Sequence, residues 1–145
     1  MKKMAILLFM IILTVFNTVN LLAENVTFTI EVTNVTINGG KVHLAVFFTA
    51  EEFRKELPSR AYELNSNSTT QTQQVTLPAG QYLIAVFQDA NNNGELDYNF
   101  LGIPKEMVGI SNYSGRGFPT KNFDRHKVPV DSTTEKVTVR LTKFF

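Results

Sequence analysis

Nine residues, Asp89 to Asp97, read DANNNGELD and directly follow the strand-like run QYLIAVFQ. Oxygen-bearing side chains fall at every second position, Asp89, Asn91 and Asn93; Gly94 comes next, then Glu95 and Asp97. A calcium loop uses this alternation, with every second residue turning an oxygen inward and a glycine where the chain bends sharply. The chemistry predicted is coordination of Ca2+ by the side chains of Asp89, Asn91, Asn93 and Asp97. The Glu95 carbonyl adds a fifth donor and water completes the shell. The loop departs from an EF-hand: two of its first three ligand positions are Asn, and Phe100 stands where the bidentate Glu belongs. Glu106 and Asp124 are the candidates for the missing carboxylate. Few charged ligands and no clamp imply weak binding, in the ~10⁻⁴–10⁻³ M range of extracellular modules. The same spacing also suits a tight turn held by Asx hydrogen bonds with no ion. Spacing alone leaves both readings open.

Other site chemistry is sparse. The chain has no cysteine, which excludes disulfides, thiolate-bound zinc and cysteine nucleophiles. His43 and His126 fall in predicted strands, with His43 on the face opposite Val42 and Leu44. No G-x-S-x-G elbow accompanies them. The carboxylates Asp89, Glu95 and Asp97 offer an alternative, acid–base work on a glycan, with Asp89 or Asp97 as acid or base.

The elements that must position these residues read mostly as strands. Val26, Phe28, Ile30 and Val32 alternate with polar residues, the period of a half-buried strand. Asn38, Gly39 and Gly40 suit a hairpin turn, and Lys41 to Phe48 reads as the return strand. Thr49 and Glu52 form a capping box for a short helix that Pro58 stops. Asn65 to Gln74 is polar: a loop, or part of a solvent-facing edge strand from Thr69 to Leu77. Gln81 to Gln88 is apolar on both faces, as in a central strand. Asp89 to Asn122 reads as one long irregular lobe, with a short strand near Met107 to Ile110. Its Tyr98, Phe100, Leu101, Ile103, Tyr113 and Phe118 argue for order. The stretch 98–122 is the expected surface for a ligand or protein, offering Asn99, Lys105, Glu106, Asn112, Tyr113, Ser114 and Arg116. Phe123 to Val130 and Glu135 to Leu141 read as the last strands. The fold expected is all-β, an antiparallel immunoglobulin-like or transthyretin-like β-sandwich of six to seven strands with one short helix. Phe144 and Phe145 at the terminus resemble an outer-membrane barrel signal, but the strands are too few and too short for a barrel.

Residues 1–23 carry a short basic start, an apolar core from Ala5 to Phe16 and the small residue Ala23, the plan of a secretory signal peptide. The apolar run is too short to span a bilayer. Residues 24–145 then form one domain, placed in the periplasm or outside the cell, with no membrane span after cleavage. Losing Lys2 and Lys3 lowers the basic count from 14 to 12 against 13 acidic residues, a net charge of −1. No basic stripe remains, so nucleic acid is not an expected partner.

The segments VTFTIEVTN, GGKVHLAVF, LPAGQYLIAVFQDANNNGELDYNFLGIPKEMVGISN and GFPTKNFD resemble the bacterial secreted family known as domain of unknown function 2141. The resemblance covers the mature chain and implies a signal-bearing β-sandwich without an assigned activity. LPAGQY with its alternating apolars also resembles transthyretin-like and carboxypeptidase-regulatory-like sandwiches. The function expected is non-catalytic, binding or structural, with a calcium-stabilised loop; the alternative is a small extracytoplasmic hydrolase of glycan or cell-wall material.

Overall fold

The computed structural model describes residues 23–113 and 115–144. The expected signal peptide therefore lies outside the described residues, apart from Ala23. Strands are β1 (Asn25–Thr33), β2 (Lys41–Phe47), β3 (Arg60–Leu64), β4 (Thr70–Pro78), β5 (Gly80–Asp89), β6 (Met107–Ile110), β7 (Val128–Val130) and β8 (Lys136–Arg140). Helix α1 (Ala50–Lys55) lies between β2 and β3, and α2 (Phe123–His126) precedes β7. The strands form two sheets, β4-β1-β8 and β3-β2-β5-β6, with β7 pairing the start of β5. The all-β sandwich is as expected, with eight strands and two short helices among the described residues. Every pair is antiparallel except β1 with β8, which is parallel. No described helix is long and apolar enough to cross a membrane.

Alternation decides the core. Phe28, Ile30 and Val32 of β1 face Val42, Leu44 and Val46 of β2 and Ile84 and Val86 of β5 across the sandwich, and all are buried. Complete burial of a side chain such as Ile30, Leu44 or Ile84 contributes about 1.5–3 kcal/mol, and this layer holds the cysteine-free domain together. β5 is apolar on both faces, as its sequence predicts. Its outer face carries Leu83, which joins Phe47 and Ile110 beneath Phe53 of α1 and Phe123 of α2.

Three local readings change. The Asn38–Gly40 turn does not close a hairpin. β1 and β2 sit in different sheets because each must turn its apolar row toward the other, so the turn carries the chain across the sandwich. Asn38 and Gly40 take positive φ there, and the Gln88 amide pins the connector by bonding both N and O of Thr36, at 2.9 and 2.7 Å. The strand expected from Phe123 to Val130 splits into α2 and β7, because Asn122 Oδ1 accepts from Arg125 N at 3.2 Å and caps a helical turn. β3, unread in the sequence, pairs with β2. The Thr49–Glu52 capping box forms as expected.

Candidate functional site

β5 ends at Asp89, and the acidic turn begins there. Asp89 is 1 % exposed. Its Oδ1 accepts from Asn93 N at 3.2 Å and its Oδ2 from Gly94 N at 2.7 Å. His43, on the neighbouring β2, places Nε2 3.5 Å from Oδ2. Burial pushes the Asp89 carboxyl up and is the largest single influence. The amides of Gly94, Asn93 and Asn92 together with His43 outweigh it and hold the group below its ordinary value. Asn91 Oδ1 accepts from Asn93 N at 3.2 Å, and Asn93 Oδ1 accepts from Glu95 N at 2.9 Å. These are Asx bonds that fold the turn. Asp97 Oδ2 receives the side-chain amides of Asn91 and Asn93 at 2.7 and 3.1 Å.

Glu106 enters from the far side of the lobe. It is 6 % exposed, and its two oxygens accept from Ala90 N at 2.9 Å and Asp97 N at 3.2 Å. One carboxylate thus joins the start and the end of the turn. The sequence reading named Glu106 as a possible missing carboxylate, and the structure brings it to the turn. Asp124, the other candidate, pairs with Lys127 at 2.6 Å on the surface. Asn92 was missed: its φ is +56°, and its Oδ1 accepts from Lys41 N at 3.2 Å. Its sequence position between Asn91 and Asn93 gives no hint of that role.

The predicted ligands are therefore gathered in one turn. Asp89, Asn91, Asn93 and Asp97 interlock through hydrogen bonds, while the Glu95 side chain stays exposed. A donor set of oxygens only is the kind hard cations take. Against that, the carboxylates of Asp89 and Glu106 already serve backbone amides, and among the described residues no three His, Cys, Asp or Glu side chains gather as a metal cluster. The turn closes on its own bonds.

Beyond Asp97 the chain makes a narrow loop. Lys105 N bonds Asp97 O, Asn99 N bonds Ile103 O, and Gly102 N bonds Asn99 O, at 2.9, 2.9 and 3.0 Å. Asn99 Oδ1 accepts from Leu101 N and Ile103 N at 2.9 and 3.0 Å. Asn99, expected as a binding residue, is the organiser of this tip. Phe100 and Leu101 project from it, 94 % and 67 % exposed. Ile103 continues into an open depression with Tyr113, Phe118, Lys143 and Phe144, where Phe118 and Phe144 meet edge to face at 5.1 Å. Tyr113 OH donates to Gly117 O. Lys105, Asn112 and Arg116 are exposed, and Ser114 lies outside the described residues. Ser111 ties the lobe to the sheet: Ile84 N donates to its hydroxyl at 2.9 Å, and the hydroxyl donates to His126 O at 2.6 Å. His126 lies at the end of α2, not in a strand. It is buried, and its ring nitrogens have no partner among the described residues.

The family model described as "Uncharacterized protein conserved in bacteria (DUF2141)" matches residues 30–138. The chain belongs to this family, in agreement with the resemblance of its motifs. No curated protein and no solved structure matches it.

Proposed function

We propose that this DUF2141 member is an exported, non-catalytic binding domain whose partner docks on the lobe 98–122. The observation that carries the reading is Phe100, an aromatic side chain 94 % exposed at the tip of a loop held by backbone bonds between Asp97 and Lys105 and around Asn99. An apolar group held in water by a rigid frame loses little conformational freedom on docking, which favours binding. The depression lined by Ile103, Tyr113, Phe118 and Phe144 extends the same apolar surface.

Calcium has a secondary place in this proposal. Ca2+ would take oxygens from Asp89, Asn91, Asn93, Glu95 and Asp97 and stiffen a turn that its hydrogen bonds already shape. The burial of Asp89 supports a binding role over hydrolysis, since a glycan cannot reach a carboxylate with 1 % exposure.

The test is in-cell photo-crosslinking from position 100, compared with exposed Ser132 in the β7–β8 turn. Adducts from position 100 and none from position 132 support the reading. Silence at position 100 in a folded, exported protein overturns it.

A further inference from the structure

The first sheet ends in an edge that no described residue covers. β4 is nine residues long and, among the described residues, pairs only with β1. Thr29 N donates to Glu135 O and Leu141 N to Thr33 O, so the odd residues of β1 point toward β8. Its even residues therefore pair with β4 through Gln71, Gln73, Val75 and Leu77. The N–H and C=O groups of Thr72, Gln74 and Thr76 point outward. Among the described residues their only outward partner is the side-chain amide of Gln73, which bonds Gln74 O at 2.8 Å, leaving a second lone pair on that carbonyl.

Proteins blunt such edges with charge, proline or cover. The other margins here have these devices: β3 carries Arg60 and Glu63, β8 carries Lys136 and Arg140, and Val108 of β6 bridges Thr142. β4 carries no charge, and its only proline is its last residue, Pro78. The outward residues also read the same in both directions about Gln74: threonine, glutamine, threonine.

We propose that β4 pairs with β4 of a second copy, antiparallel about a two-fold axis at Gln74. Thr72 then faces the other copy's Thr76, and Gln74 faces its own equivalent. A two-fold contact sets each patch against itself. It is tolerated here because the strand is uncharged and threonine–threonine pairs are favourable across strands. The two sheets become one continuous sheet. Pro78, which lacks an N–H, and Thr70 O, which accepts from Ser68 Oγ, end the new ladder on either side.

The absence of cysteine makes the test direct. In an antiparallel hydrogen-bonded pair the facing Cα atoms lie about 5.5 Å apart, within the roughly 4.4–6.8 Å span of a disulfide. Under mild oxidation Gln74→Cys should give a covalent dimer at least about tenfold faster than Thr138→Cys on β8, because pairing raises the effective thiol concentration. Sedimentation of the wild-type domain should show a dimer that dissociates on dilution. Gln74→Pro removes only an outward N–H and should be monomeric with a near-native melt. Should that variant not fold, Thr72→Lys with Thr76→Lys sets like charges opposite each other and should dissociate the pair. The proposal is overturned if Gln74→Cys links no faster than the control, or if the wild type stays monomeric throughout. It is also overturned if the edge variants still dimerise, or if position 74 links only to a different polypeptide.

Discussion

His43 stacks on Phe87 at 4.8 Å between ring centroids and brings its Nε2 to 3.5 Å from Asp89 Oδ2. Neighbouring strands of one sheet thus set the carboxylate from which the acidic turn is hung. The buried carboxylate, the half-buried imidazole and the amides of Asn93 and Gly94 form one polar unit at the end of β5.

Asp89 should leave a pH signature. Its carboxyl is held below the ordinary 3.8 because the turn amides and His43 outweigh its burial. A depressed carboxyl contributes stability that is fully present above the unfolded value and is lost as pH falls through the folded one. Asp89→Asn should therefore be less stable than wild type at neutral pH, and the gap should close below about pH 4. Urea midpoints measured from neutral to acid pH check this. Glu52, held low first by the Phe48 amide, and Asp131, held low first by the Thr133 hydroxyl, occur in both proteins and cancel in the comparison.

Glu106 should behave as a brace. Glu106→Ala leaves the amides of Ala90 and Asp97 without their acceptor, at a cost of about 2–4 kcal/mol. Glu106→Gln retains one acceptor oxygen and should fall between. Hydrogen exchange should locate the loss at these two amides, and a loss spread evenly over the sheet would refute the bracing role.

Gly40 should not tolerate a side chain. A Cβ there would sit 1.8 Å from the Asp89 carbonyl oxygen, and its φ is +94°. Gly40→Ala is expected to cost about 3 kcal/mol or more, because both the clash and the backbone conformation oppose it. Thermal unfolding measures it directly.

Calcium, if it binds the turn, acts by mass action on the folded state. At ten times its dissociation constant it should add about 1.4 kcal/mol to stability, and Asp97→Ala should abolish the gain. Superimposable melts with about 10 mM calcium and with chelator would rule the ion out.

The tip should separate binding from stability. Phe100→Ser should change folding stability by no more than about 0.5 kcal/mol, as for other exposed sites. Ile84→Ala in the core should cost about 2–5 kcal/mol. Denaturant curves for both, with crosslinking from position 98 in the Phe100→Ser background, test whether the tip serves docking alone.

Local chemistry made parts of this fold readable in advance. The two-faced apolar run of β5 marked a strand covered on both sides, and Thr49 with Glu52 marked the start of α1. Long-range pairing was not readable. The alternation in β1 shows that one face is buried, but not that β8 lies beside it in parallel. Phe123 to Val130 reads as one strand in the sequence, yet the Asn122 cap converts its first turn into helix. β3 is too short, and too charged at Arg60 and Glu63, to stand out. In the acidic turn, the spacing of Asp89, Asn91 and Asn93 was readable as a turn held by Asx hydrogen bonds. The brace from Glu106 to Ala90 N and Asp97 N arrives from beyond the tip, which spacing cannot specify.

The parallel ladder between β1 and β8 has a mechanical consequence. The first and last strands of the domain run side by side in one direction, so the chain enters at one pole of the sheet and leaves at the other. Tension between the two ends loads that ladder in shear, and its hydrogen bonds must rupture together instead of peeling apart singly. Threading of this kind should make the two ends harder to draw apart than an arrangement whose bonds open in sequence.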